Sequence, residues 1–103
     1  MAGLQVERLS PSTLIVSGDL DMATAGALQA EMDLIPGPLT LDMSGVTFMD
    51  STGLHVILSR SKQGKVTLCA PTDQILRLLE LTGVDGRADI VVESAGQVAP
   101  PAL

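Results

Sequence analysis

A carboxylate, two hydroxyls and a glycine stand in a row at Asp50-Ser51-Thr52-Gly53, where an apolar run gives way to a helical pattern. Ser51 is the residue with chemistry to offer. The first backbone N–H groups of a helix have no intrahelical acceptor, and a hydroxyl placed there faces solvent within reach of a kinase. A phosphoryl group on it carries roughly −1.5 to −2 charges near neutral pH. The helix end accommodates that charge, with a dipole contribution of about 0.3–1 kcal/mol, whereas Asp50 next door opposes it. Modification therefore leaves the scaffold folded and changes its surface. A partner that accepts a neutral hydroxyl must then desolvate a dianion, at a cost of several kcal/mol, and ~1.4 kcal/mol is a decade in affinity. The bland alternative is that Asp50 or Ser51 does no more than cap a helix.

Other reactive side chains are sparse. His55 is the single histidine. It follows Gly53 by two residues and lies off the Leu54/Ile57/Leu58 face, which reads as a solvated rim position. With no second histidine and no cysteine pair nearby, neither a metal site nor a catalytic role is expected. Cys69, in Val66-Thr67-Leu68-Cys69-Ala70, reads as a small buried hydrophobe. Asp50-Ser51-Thr52-Gly53 resembles the Asp-Ser/Thr-Gly of aspartic proteases only superficially: an extra residue separates Asp50 from Gly53, and a helix follows where a strand would be needed. There is no Gly-x-Ser-x-Gly elbow and no phosphate-binding glycine loop with a lysine. These features predict a protein that is not an enzyme and needs no cofactor. Thr52 reads as a packing or capping residue. Met22, Met32, Met43 and Met49 read as core and interface filler, with Met49 and Phe48 lending apolar contact area beside Ser51.

The chain that must position these residues has 103 amino acids, enough for one domain. Hydrophobic residues make up 46% but aromatics only 1%, so the core has to be built from Leu, Val, Ile, Met and Ala. A net charge of −6 argues against nucleic acid and anionic lipid as partners. Phe48 as the lone aromatic offers no stacking platform for single strands. One cysteine excludes an intramolecular disulfide and suits a reducing, cytoplasmic setting. The first residues lack the basic start and apolar run of a signal peptide, and no apolar stretch approaches a membrane span.

Gln5 to Leu9 and Thr13 to Ser17 read as strands joined by a Ser10-Pro11-Ser12 turn. The apolar residues of the second run together, as in a strand covered on both faces, and Gly18 breaks the run. A helical stripe of Ala25, Leu28, Met32 and Ile35 spans Ala23 to Ile35, with Asp21 as its cap and Pro36-Gly37-Pro38 as its stop. Leu39 to Met43 is a strand and Val46 to Met49 a separate short apolar run. A helix follows from Ser51, with Leu54, Ile57, Leu58 and Ser61 on one face, ending at Gly64. Lys65 to Ala70 is a strand. Thr72 caps a third helix carrying Ile75, Leu78 and Leu79, closed by Gly83 in the left-handed position with Val84 packing back. Ile90 to Val92 is the last strand, and residues 94–103 read as a flexible tail after a domain covering 1–93. The order ββαβαβαβ predicts an α/β fold: one domain with a mixed, mostly parallel sheet and about three main helices. The edge near Leu4 to Leu9 suits a monomer or a weak dimer.

Val46-Thr47-Phe48-Met49-Asp50-Ser51-Thr52-Gly53-Leu54 resembles the signature of the STAS domain, in its branch of bacterial anti-anti-sigma factors. Gly18-Asp19-Leu20-Asp21 is similar to the Gly-Glu-Leu-Asp after the second strand of that family. Thr82-Gly83-Val84 falls where the family has a Gly-hydrophobic turn after its third helix. The resemblance runs from about Leu4 to Val92. It implies a four- or five-stranded sheet with helices on its faces. It also implies that Ser51 is phosphorylated by a cognate anti-sigma factor with serine kinase activity. The unphosphorylated protein would capture that anti-sigma factor and free a sigma factor, and a phosphatase would restore it after phosphorylation. Asp21, Phe48, Met49, Asp50, Ser51, Thr52, Gly53 and His55 would then form the partner surface, with Asp19 and Asp42 in support. His55 stands where relatives often carry a small residue, and the family's last helix looks missing or very short. The alternative within the same fold is a constitutive interaction module of a larger assembly, such as a stress-sensing complex or a transporter, with no phospho-switch.

Overall fold

Two runs rich in β-formers at the start of the chain close on each other around Pro11-Ser12. In the computed structural model, which describes residues 3–84, 87 and 89–93, these are β1 (Leu4–Ser10) and β2 (Thr13–Leu20), paired antiparallel with Val6 opposite Val16. Then follow α1 (Ala25–Asp33), β3 (Leu39–Met49), α2 (Ser51–Ser61), β4 (Val66–Cys69), α3 (Asp73–Thr82) and β5 (Ile90–Glu93). The strands form one sheet in the order β1-β2-β3-β4-β5, and β2 to β5 are mutually parallel. This is the expected α/β architecture, with five strands and three helices. The expected tail and the question of a last helix lie outside the described residues.

The strand order advances in one direction only. Right-handed crossovers repeated in that direction place every intervening helix on the same side of the sheet. The core agrees: Leu14, Val16, Leu39, Leu41, Met43, Val66 and Leu68 from the strands are buried together with Leu28, Met32, Leu54, Ile57, Ile75 and Leu79 from all three helices. Among the described residues the helices therefore cover one face rather than both. The other face carries the cross-sheet row Glu7, Ile15, Asp42, Cys69 and Glu93, one residue from each strand. None of these five is buried. The apolar run at Thr13–Ser17 is thus not covered twice, because Ile15 points to the open side. Cys69 is likewise half-buried, not interior. Its Sγ lies 3.5 Å from Glu93 Oε1, and partial burial followed by that carboxylate pushes the thiol above its ordinary range.

Further expectations need correction. Strand β2 does not stop at Gly18 but continues to Leu20, and β3 is one strand of 11 residues rather than two pieces. Register shifts against β2 fall between Ile15 and Ser17 and between Gly18 and Asp19. Each inserts an extra residue into β3, so Met43, Val46 and Met49 all turn inward at a spacing of three. Helix α1 is shorter than its apolar stripe. Asp21 is not its cap residue: Oδ1 accepts from Ala23 N–H at 2.9 Å and Thr24 N–H at 3.2 Å, forming a turn ahead of the helix, and Thr24 takes the cap position. Helix α3 follows expectation. Thr72 Oγ1 accepts from Ile75 N–H at 3.4 Å, Gly83 closes the helix at φ 74°, and Val84 is buried.

Candidate functional site

The paired strands β2 and β3 end side by side, with Leu20 opposite Met49. The residues that leave those ends are Asp21 and Asp50, so register alone brings the two carboxylates to the carboxyl edge of the sheet, the usual location of sites in open α/β folds. The Asp50 N–H donates to Leu20 C=O at 3.2 Å, which fixes the turn into α2 against the end of β2.

Asp50 is the N-cap of α2. Its backbone is extended (φ −108°, ψ −175°), and its Oδ1 accepts from Gly53 N–H at 2.9 Å. Gly53 is buried, and a Cβ there would lie 2.6 Å from the Leu20 carbonyl oxygen and 2.7 Å from Leu20 Cγ. Only a residue without a side chain lets the first turn of α2 rest on β2. Ser51 is the first residue of that turn and is exposed. The hydroxyl therefore stands at the rim, with the free N–H groups of the helix start beneath it and a cap carboxylate immediately before it.

The acidic neighbours hold themselves in place through local bonds. Thr24 Oγ1 donates to Asp19 C=O at 2.7 Å and in turn accepts from Asp21 N–H at 3.0 Å. Asp19 Oδ1 accepts from Thr47 Oγ1 at 3.0 Å, tying β2 to the second bulge of β3. Among the described residues the one ion pair is Arg87–Asp89, remote in sequence from this edge, so Asp19, Asp21 and Asp50 keep their negative field.

Not every expected site residue reaches the surface. Met49 is only 6% exposed and packs into the core, and Gly53 is buried beneath the helix start, so neither offers contact area to a partner. Both act by seating α2. Phe48, at 44% exposure, does offer apolar surface, but it pairs with Asp19 and so faces the open side of the sheet. Thr52 is half-buried, and His55 is exposed with Nε2 3.5 Å from Ser59 Oγ. Asp42 is not beside the loop. It lies level with Ile15 and Cys69, and its Oδ1 accepts from Ser44 N–H at 3.0 Å and Ser44 Oγ at 2.8 Å, within its own strand.

Two residues stand out that sequence reasoning missed. Met22, read as filler, is 78% exposed directly after Asp21 and supplies apolar surface at this edge. Its position before the helical stripe was the available signal. Arg60 is buried at 3% exposure near the far end of α2. Its guanidinium donates to Ile35 C=O and Gly37 C=O at 2.6 Å each, and Nε donates to Met32 C=O at 3.4 Å. A single arginine thus holds one carbonyl in the last turn of α1 and two in the segment just after it, near a helix end that favours a cation, and pins α2 to them. Ser61 completes the anchor: its Oγ donates to Asp89 Oδ2 at 2.9 Å.

Among the described residues no cluster of three or more His, Cys, Asp or Glu side chains is placed to hold a metal ion. Among the same residues no helix is long and apolar enough to cross a membrane. The chemistry available at this edge is that of an exposed acceptor hydroxyl on a rigid, acidic surface.

Comparison with known proteins agrees with this geometry. The family model described as Mlab, STAS domain, matches residues 5–93. The anti-sigma-B factor antagonist of Listeria monocytogenes is 29% identical over 86 residues, covering 75% of each chain. An anti-sigma factor antagonist from Mycobacterium paratuberculosis superposes with a TM-score of 0.74 at 25% identity, over 94% of this chain and 89% of that one. The Bacillus cell fate determinant SpoIIAA, solved in its phosphorylated form, shares the fold with a TM-score of 0.62 at 17% identity, over 92% and 95% of the two chains. With the family model spanning nearly the whole chain and the ββαβαβαβ order observed, the protein belongs to the STAS domain family, in which its relatives are named anti-sigma factor antagonists.

Proposed function

We propose that this protein is an anti-sigma factor antagonist whose binding is switched off by phosphorylation of Ser51. In its unmodified state it captures a cognate anti-sigma factor and so frees a sigma factor. The same anti-sigma factor acts as a serine kinase. In the transfer, Ser51 Oγ forms a bond to the γ-phosphorus of ATP, the bond to the bridging oxygen breaks, and ADP and the hydroxyl proton leave. A phosphatase hydrolyses the ester and restores binding. The protein works in the cytoplasm, where a nucleotide-dependent kinase has its substrate.

The observation that carries this reading is the exposed Ser51 hydroxyl at the start of a helix that is capped by Asp50 and anchored at both ends. Such a helix gains charge without moving, so the effect falls on the partner. Asp21, Asp50 and exposed Met22 form the edge that the partner meets, with His55 along the helix. Relatives point the same way: one is an anti-sigma-B factor antagonist, and a protein of the same fold is known in a phosphorylated form.

The test is a titration of the cognate anti-sigma factor, followed by calorimetry, against wild type, Ser51→Ala and Ser51→Glu. Ser51→Ala is expected to bind like wild type and Ser51→Glu at least a hundredfold more weakly, corresponding to about 2.7 kcal/mol or more. Equal affinity for Ser51→Glu and wild type overturns the switch. Mass spectrometry after incubation with the anti-sigma factor and ATP is expected to place one phosphate on Ser51.

A further inference from the structure

Ser51, His55 and Ser59 follow one another at intervals of four residues along α2, so they share one stripe of its surface. Ser51 and His55 are both exposed. Helix α2 contains two side chains able to carry positive charge, His55 and Arg60. Arg60 is committed to the carbonyls of Ile35 and Gly37, leaving His55 as the one such group of this helix on the surface. The charged groups nearest the start of the helix are Asp50 at the cap and Asp21 at the end of β2, and both repel an anion. Lys62 stands beyond the far end of α2, seven residues from His55.

The imidazole's present contact is slight. Nε2 lies 3.5 Å from Ser59 Oγ, at the long limit of a hydrogen bond. Side chains on a helix lean toward its N-terminus, which from position 55 is the direction of Ser51. A phosphate one turn back is therefore both within reach and a far stronger acceptor than a serine hydroxyl.

We propose that His55 reads the phosphate: when Ser51 carries a phosphoryl group, the imidazolium of His55 leaves Ser59 and pairs with it across one turn of α2. The inference rests on Ser51 as the modified residue. It adds that this chain has its own device for holding the phosphate against the helix in a field of carboxylates. Because a phosphomonoester takes its second charge near pH 6, the pairing also makes the switched-off surface sensitive to pH.

The test uses the full chain with phosphoserine installed at position 51 during translation, so its outcome does not depend on any kinase. The second ionisation of the phosphate is followed by phosphorus NMR in wild type, His55→Gln and His55→Lys. The midpoint is expected to lie about 0.3 of a pH unit lower with His55 than with Gln, the size of an exposed one-turn ion pair, and to stay low with Lys. The difference is expected to shrink in 1 M salt, where the screening length is about 3 Å. Coincident titration curves for wild type and His55→Gln overturn the proposal, as does a midpoint in His55→Lys that matches Gln. Thermal melts of the unmodified variants, expected to superimpose on wild type, show that the fold is intact. Failure of the separate kinase reaction to label Ser51 would count against the switch itself and leave the ionisation result standing.

Discussion

Arg60 gives the sharpest test of how α2, and with it Ser51, is held. Its guanidinium makes two short bonds, to Ile35 C=O and Gly37 C=O at 2.6 Å, and one long bond to Met32 C=O at 3.4 Å. Nη1 is buried without a partner among the described residues. Truncation to alanine removes all three bonds, strands buried carbonyls and leaves a void where the stem packed. A bond to a charged donor is worth about 1.5–3 kcal/mol, and an unsatisfied buried acceptor costs about 1–3 kcal/mol. These terms overlap, since each describes the same lost bond, so Arg60→Ala is expected to lose about 3–5 kcal/mol. Arg60→Met keeps most of the stem volume and removes both the cost of burying a charge and the orphaned Nη1. Its loss is expected to be smaller, about 1–3 kcal/mol. The chain has no Trp or Tyr, so the measurement is urea unfolding followed by far-ultraviolet circular dichroism. With a slope of about 1–2 kcal/mol per molar, the alanine midpoint falls by roughly 2 M or more, and the methionine midpoint by about half that. A methionine variant as stable as wild type, or more so, refutes the reasoning: the guanidinium would then be a net cost that the protein carries for another purpose.

Two further outcomes follow from the geometry around α2. Gly53→Ala would force a methyl group to within 2.6 Å of the Leu20 carbonyl oxygen and is expected to cost about 1–3 kcal/mol by overpacking; an unchanged urea midpoint would show that the helix start can shift outward freely. Asp89 is held below the ordinary carboxylate range, first by the hydrogen bond from Arg87 and then by that from Ser61. A carboxyl depressed in the folded state adds stability above its unfolded value and loses it as the pH falls through its folded value. Asp89→Asn is therefore expected to lower the melting temperature at pH 6 and to converge on wild type as the pH falls through the depressed folded value; a gap that persists undiminished in acid contradicts the ion-pair account.

How much of this was legible beforehand depended on the range over which each feature is determined. The caps of α3 were readable because Thr72, Gly83 and Val84 act within one turn of the residues they serve. The exposure of Ser51 was readable for the same reason: a hydroxyl directly after a cap carboxylate sits at a helix start whatever the rest of the chain does. Features settled by partners elsewhere in the chain were hidden. The side to which Ile15 points depends on the strand order, which places every crossover on one face. Strand β3 looked broken because its two bulges change the inward period from two to three at Met43, Val46 and Met49, a spacing that mimics a helix more than a strand. Arg60 drew no attention in the sequence, since nothing near it announces that the carbonyls 23 to 28 residues upstream are waiting for a cation. The site divides along the same line. The hydroxyl and its cap are local, while the rigidity that the proposed switch requires, so that a phosphate would act on the partner and not on the fold, comes from Leu20 under Gly53 and from the segment after α1 around Arg60. A surface switch of this kind needs the long-range anchors to be stiffer than the charge is strong, which is why the stability of Arg60 and Gly53 variants bears directly on the function proposed for Ser51.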